Sequence, residues 1–128
     1  MNYYIGTKVT TNFEKTIEVV TEKLQEQGFG VLTEIDVKAT LKKKIDVDFK
    51  KYMILGACNP SFAHQALSVE DKLGALLPCN VIVIEQENGE VEVYAIDAQT
   101  MMQQINNPDL NPIASQVSEK LQWVLDQL

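Results

Sequence analysis

Apolar residues at Phe13, Ile17, Val20 and Leu24 recur at the three- and four-residue spacing of a helix and form one face. Glu14, Glu18, Glu22 and Glu26 line another face, four residues apart. Like charges at that spacing repel weakly, so this ridge is expected in water. Thr11-Asn12-Phe13-Glu14 fits a capping box at the helix start, and Gly28 marks its end. The stretch YYIGTKV (3–9) before the helix reads as a strand, and FGVLTEIDV (29–37) after it as a second, expected to pair with the first.

KATLKKKI (38–45) reads as a short helical or turn segment. KYMILGAC (51–58) has the nearly continuous apolar run of a central strand. Asn59-Pro60 then opens a helix to about Leu67, with asparagine at the cap and proline where a missing N–H costs nothing. Ser68-Val69-Glu70-Asp71 fits a second capping box, for a short helix that Pro78 stops. CNVIVIEQ (79–86) and EVEVYAI (90–96) read as strands joined at Asn88-Gly89, a strong hairpin signal. Asp97 is placed to cap a helix through Gln104. Asn111-Pro112 starts a last helix with Ile113, Val117, Leu121, Val124 and Leu128 as its buried stripe.

These elements predict one α+β domain over residues 1–128, with a mixed or mostly antiparallel sheet covered by helices on one face. The first and third strands each open a strand, capped helix, strand unit, which suggests a duplicated β-α-β arrangement. With 45% hydrophobic and 23% charged residues, the composition is that of a globular protein.

Charge narrows the function. A net charge of -7 repels nucleic acids and anionic membranes. All 11 basic residues are lysines. Without arginine there is no bidentate fork for phosphate or carboxylate. Lys38, Lys42, Lys43, Lys44, Lys50 and Lys51 form one basic patch, read as a solvated face with anion or partner binding as the alternative. No apolar run reaches the length of a membrane span, and the first residues lack the pattern of a signal peptide. A cytoplasmic protein with reduced thiols is expected.

The candidate chemistry lies at two Cys-Asn pairs. Cys58 precedes a capped helix N-terminus, whose free N–H groups and positive dipole end favour a thiolate. Cys79 opens the next strand. If those strands are neighbours, both thiols lie at one end of the sheet. Asn59 and Asn80 flank them. His64, the single histidine, with Cys58 and Cys79 gives donor types suited to Zn²⁺, though the spacing is not that of a zinc motif. Glu34 and Asp36 share a strand face and are candidates for ligand binding or acid–base work, against the alternative of a solvated edge.

Three readings follow. The leading one is binding of a small-molecule ligand or metal ion, or thiol chemistry, around Cys58, Asn59, Cys79 and Asn80. A second is a structural or protein-interaction domain with both cysteines in the core. A third is a cysteine-nucleophile hydrolase or transferase, with His64 as base.

The blocks GFGVLTEIDV, the lysine-rich segment after it, YMILGACNP and LLPCNVIV, in this order, resemble the domain-of-unknown-function family numbered 302. The likeness covers about residues 3–98. It places the family motif on Gly56, Cys58, Asn59 and Pro60, on Leu77, Pro78, Cys79 and Asn80, and on Glu34-Ile35-Asp36. His64 falls outside it. The resemblance implies a small bacterial or archaeal α+β domain, commonly a homodimer, with no established activity.

Overall fold

The computed structural model describes residues 2–128. The chain runs β1 (Tyr4–Val9), α1 (Phe13–Glu26), β2 (Gly30–Asp36), α2 (Val37–Ile45), β3 (Tyr52–Cys58), α3 (Pro60–Val69), β4 (Cys79–Glu85), β5 (Val91–Ile96), α4 (Ala98–Gln103) and α5 (Asn111–Asp126). Short 3₁₀ turns at Asp71–Leu76 and Pro108–Leu110 precede β4 and α5. The strands form one sheet in the order β1-β5-β4-β3-β2, and every pairing is antiparallel. This is the expected α+β architecture. The expected pairing of the first two strands is corrected: β1 and β2 are the two opposite edges. The α1 helix spans the sheet between them, while β5 pairs with β1 and β3 with β2. The two strand–helix–strand stretches are therefore placed differently, because β3 and β4 are direct neighbours.

Period-two alternation sorts the sheet into two faces. Leu55 and Ala57 of β3, Val81 and Val83 of β4, and Val91, Val93 and Ala95 of β5 are buried. They join Val20 and Leu24 of α1, Ala66 of α3, Met102 of α4 and Ile113, Val117, Leu121 and Val124 of α5 in one core. The α2 helix contributes no buried residue. The alternate residues form the other face, which adds no residue to that core, although Ile84 and Glu92 on it are themselves buried. One row there crosses all five strands through the register pairs Ile35–Ile54, Ile54–Ile82, Ile82–Tyr94 and Tyr94–Gly6. The Tyr94 ring lies over Gly6, in the space a Cβ would take.

Local chemistry explains the helix ends. The cap of α1 is Asn12, whose side-chain oxygen accepts from the Lys15 N–H at 2.8 Å. The expected capping box on Thr11 does not form, because the Thr11 and Thr16 hydroxyls bond each other at 2.7 Å. Gly28 closes the helix at φ 84°, a conformation that costs glycine nothing. The four glutamates of the ridge are exposed as expected. The expected second capping box at Ser68 is absorbed by α3, which runs on to Val69, and the Ser68 hydroxyl donates back to the His64 carbonyl at 2.7 Å. Asn107, not Asn111, is the capping asparagine before α5: its oxygen accepts from the Asp109 N–H at 3.1 Å. Asn111 already lies in helical backbone.

Candidate functional site

β3 runs into the site and β4 runs out of it. Ala57 and Cys79 are directly opposed across these strands, so Cys58 lies one residue beyond the cross-strand partner of Cys79. This brings both cysteines to one end of the sheet. Both are free thiols; Cys58 is half-buried and Cys79 is 8% exposed.

Gly56 sets the local geometry. A Cβ there would collide with the Thr33 hydroxyl on β2 and stand 2.9 Å from Cγ of Pro78. The missing side chain lets β2 and the Leu77-Pro78 segment close around β3. β2 carries an irregularity in register between Val31 and Thr33. Leu32, within it, is 67% exposed.

The start of α3 is fixed by Asn59. Its side-chain oxygen accepts from the Phe62 N–H at 3.4 Å, and its amide donates to the Gln27 carbonyl at 3.2 Å. Pro60 occupies the first helical turn. Asn59 is thereby a structural joint between α3 and the end of α1.

α3 leans over the sheet end and leaves a cavity of about 300 Å³ beneath it. Phe62, Ala63, Ala66 and Leu67 of α3 form one wall, and Met102, Ile113 and Val117 of α4 and α5 another. Cys58, Asn59 and Cys79 line it too, with Leu77 and Pro78. Almost the whole lining is apolar.

Burial pushes the Cys79 thiol up to about 11, with the neighbouring Cys58 as the lesser cause. Cys79 is therefore a neutral thiol at physiological pH.

The structure brings together Cys58, Asn59 and Cys79 of the sequence-derived candidates. Asn80 is exposed and, next to Cys79 in β4, alternates onto the other face of the sheet. Glu34 is exposed on β2. Asp36 caps α2, accepting from the Ala39 N–H at 2.9 Å. Neither lines the cavity. His64 is exposed and also lies outside it. The thiols thus have no imidazole beside them for base catalysis. Among the described residues no three histidine, cysteine or carboxylate side chains gather as metal ligands. Two thiols alone do not supply the four ligands of a structural Zn²⁺ site.

Sequence reading missed Phe62, Ala66 and Met102 as site residues; Leu77 entered only through the family motif. Phe62 and Ala66 are four apart on the sheet-facing side of α3, a signal present in the sequence. Met102 comes from a distant helix and carries no local signal.

A second polar cluster lies on the uncovered face. Glu92 is 8% exposed there and accepts from Gln86 Nε2 at 2.7 Å and from the Tyr94 hydroxyl at 3.1 Å. Lys50 donates to Gln86 Oε1 at 2.9 Å. The Gln86 bond, with the Tyr94 bond and the positive charges of Lys8 and Lys50, holds the Glu92 carboxyl below its ordinary range. Every partner in this cluster is used, and among the described residues no buried side-chain N or O atom lacks a hydrogen bond.

A family model described as domain of unknown function DUF302 matches residues 5–128. The match extends past the sequence blocks through α4 and α5, so the wall that Met102, Ile113 and Val117 supply lies within it. A crystal structure of an uncharacterized conserved protein DUF302 from Bacillus stearothermophilus superposes with a TM-score of 0.91 at 32% identity, covering 98% of this chain and 97% of that one. No curated protein matches.

Proposed function

We propose that this chain, which belongs to the DUF302 family, is a small-ligand-binding domain whose site is the apolar cavity under α3. The single observation that carries the reading is the cavity itself: about 300 Å³, open to solvent, and walled almost wholly by apolar side chains. Ligand pockets run from about 300 to 1,000 Å³ and are mostly apolar with a few polar groups. This one stands at the small end, so its ligand is small. Asn59 spends its oxygen on the helix cap and an N–H on Gln27. Little polar surface remains to orient a charged compound, and the ligand is uncharged over most of its surface. No helix among the described residues is long and apolar enough to cross a membrane.

The test is thermal unfolding against a graded series of primary alcohols and small aromatic hydrocarbons. A compound that binds only the folded chain raises Tm with concentration. Ala66→Phe, and separately Ala63→Phe, fill the cavity and abolish the rise. No rise with any member, or an equal rise in both filled variants, overturns the reading.

The uncovered sheet face supports a second assignment, a homodimer. Its central row of Ile35, Ile54, Ile82 and Tyr94 is apolar. Large apolar patches on soluble chains mark interfaces, and two antiparallel sheets pack well face to face. The chain as a whole carries a charge of -7, but this face sets Lys8 and Lys50 against Glu92, so two copies meet there without strong repulsion. An apolar face of this kind is self-complementary in an isologous pair. Sedimentation of the native chain gives the dimer mass, and Ile82→Lys gives a folded monomer. A monomeric native chain overturns it.

A further inference from the structure

Leu32 lines the apolar cavity under α3 and is nevertheless 67% exposed. Leu67 of α3 also lines it and is 38% exposed. The rest of the lining includes Ala57, Ala66, Met102 and Val117, each no more than 3% exposed. The cavity therefore has a buried apolar end and a solvent-open mouth with leucines at its rim. From this gradient we infer that the ligand is a dissolved single-chain amphiphile. Its hydrocarbon tail enters the cavity, and its polar head stays in water beyond Leu32 and Leu67. The inference rests on the cavity reading above and adds the chemical class of the occupant.

The backbone of β2 places Leu32 there. Val31 pairs with Ala57 and Thr33 with Gly56, which are neighbours on β3, so Leu32 is one extra residue without a cross-strand partner. A bulge of this kind re-aims the side chain it carries. Gly56 supports it, because its missing side chain lets the Thr33 hydroxyl close on β3 directly after Leu32. A single exposed leucine is ordinary. One that a bulge sets into the lining of an apolar cavity is a contact surface for whatever leaves the mouth.

The lining decides the chemistry of each end. Its one amide side chain, Asn59, is already committed to the Phe62 N–H and the Gln27 carbonyl. Among the described residues no lysine or carboxylate lines the cavity. A charged head taken inside would lose its water without gaining a partner, which is prohibitive. A wholly apolar ligand would fill the buried end and leave Leu32 and Leu67 in water. An alkyl chain that runs out past them covers both, and its head meets solvent. The net charge of -7 sets a weak, salt-screened preference against anionic heads. That charge, with a rim that carries no basic residue, favours a dissolved amphiphile over a lipid held in an anionic bilayer.

The test is binding of straight-chain alcohols from butyl to decyl, below their aggregation limits, read as Tm shifts and by calorimetry. Carboxylates and trimethylammonium compounds of matched chain are run beside them. Affinity is expected to rise about fourfold per added methylene and to level off once the chain passes the rim. At high salt the three heads bind alike, and at low salt the carboxylate is weakest. Leu32→Ser, at an exposed position, weakens the longest chains several-fold and leaves butanol unchanged. Leu67→Ser is the second variant if serine in the bulge perturbs the strand. Vesicles of phosphatidylcholine and phosphatidylserine do not carry the protein upward in a flotation gradient.

Compact hydrocarbons that raise Tm, with no gain per methylene in the alkyl series, overturn the amphiphile and leave the cavity reading standing. Rim variants that weaken every chain length equally, or none, overturn it too, as does a charged head that abolishes binding at high salt. Co-flotation with the vesicles overturns the dissolved source. Binding by none of the compounds overturns both readings.

Discussion

The Asn59 side-chain amide donates to the Gln27 backbone carbonyl across 3.2 Å, while the oxygen of the same side chain caps α3. One residue thus ties the wall of the cavity to the end of α1. Gly28, beside Gln27, makes room for it: a Cβ at Gly28 would stand 3.0 Å from Asn59 Nδ2.

Removing that joint has two separable effects. Asn59→Ala loses both the cap and the tie and is expected to cost about 1–2 kcal/mol. Asn59→Asp keeps the cap oxygen but turns a carboxylate oxygen toward the Gln27 carbonyl, so it does not recover wild-type stability. Urea unfolding measures both. An alanine variant as stable as the native chain contradicts the assignment of the joint.

Gly56 is required by its neighbours and not by backbone conformation. A methyl there meets the Thr33 hydroxyl on one side and the Pro78 ring on the other. Neither neighbour is the far end of a long flexible chain. Gly56→Ala is therefore expected to destabilise by about 1–3 kcal/mol, as overpacking does. Pairing it with Thr33→Ser removes a methyl group but leaves the hydroxyl, so recovery is small. Pairing it with Thr33→Gly removes the collision on that side and restores part of the loss. Denaturant midpoints of the three variants decide it.

Cys79 makes stability depend on alkaline pH. Burial raises its thiol from the ordinary thiol range to about 11 in the fold. The folded state holds the proton more tightly, so the stabilisation is fully present below pH 9 and is lost as pH rises to 11. Two units correspond to about 2–3 kcal/mol. Tyrosines and lysines titrate in the same range, so the measured quantity is native chain minus Cys79→Ala. That difference falls between pH 9 and 11. A constant difference contradicts the burial of the thiol.

The two thiols differ in access. Cys58 is half-buried and Cys79 is buried. A small alkylating reagent is expected to modify Cys58 in the native chain and Cys79 only on unfolding. A compound that fills the cavity slows the Cys58 reaction. Mass spectrometry of peptide digests reads both. Simultaneous modification of both cysteines in the native state contradicts the placement.

Much of the fold is legible in local pattern. The spacing of Phe13, Val20 and Leu24 places α1 on the sheet, and all three are buried. Asn59-Pro60 marks the start of α3, and Asp97 caps α4 through the Thr100 N–H at 3.2 Å. Asn88-Gly89 marks the β4–β5 turn, with Gly89 at φ 89°. Strand order is not legible, because nothing within β1 or β2 states that β5 and β3 are their partners. Competition among equivalent caps is also hidden. Thr11 and Asn12 both suit the start of α1, and the hydroxyl of Thr11 is taken by Thr16. Within the site, Cys58 and Cys79 converge because β3 and β4 are neighbours, an inference available from their chain order. Met102 enters from α4; of β2, Leu32 reaches the lining, while Glu34 lies farther along the strand and Asp36 is spent on the cap of α2.

The claim that the cavity under α3 takes a small apolar ligand is tested most directly by mapping where one binds. Methyl and amide chemical shifts of the native chain are followed during titration with a compound that raises Tm. The account predicts saturable shifts concentrated at Ala57, Ala63, Ala66, Leu77 and Val117, with the row Ile54, Ile82 and Tyr94 unchanged. Shifts confined to that sheet row, or scattered without saturation, contradict it.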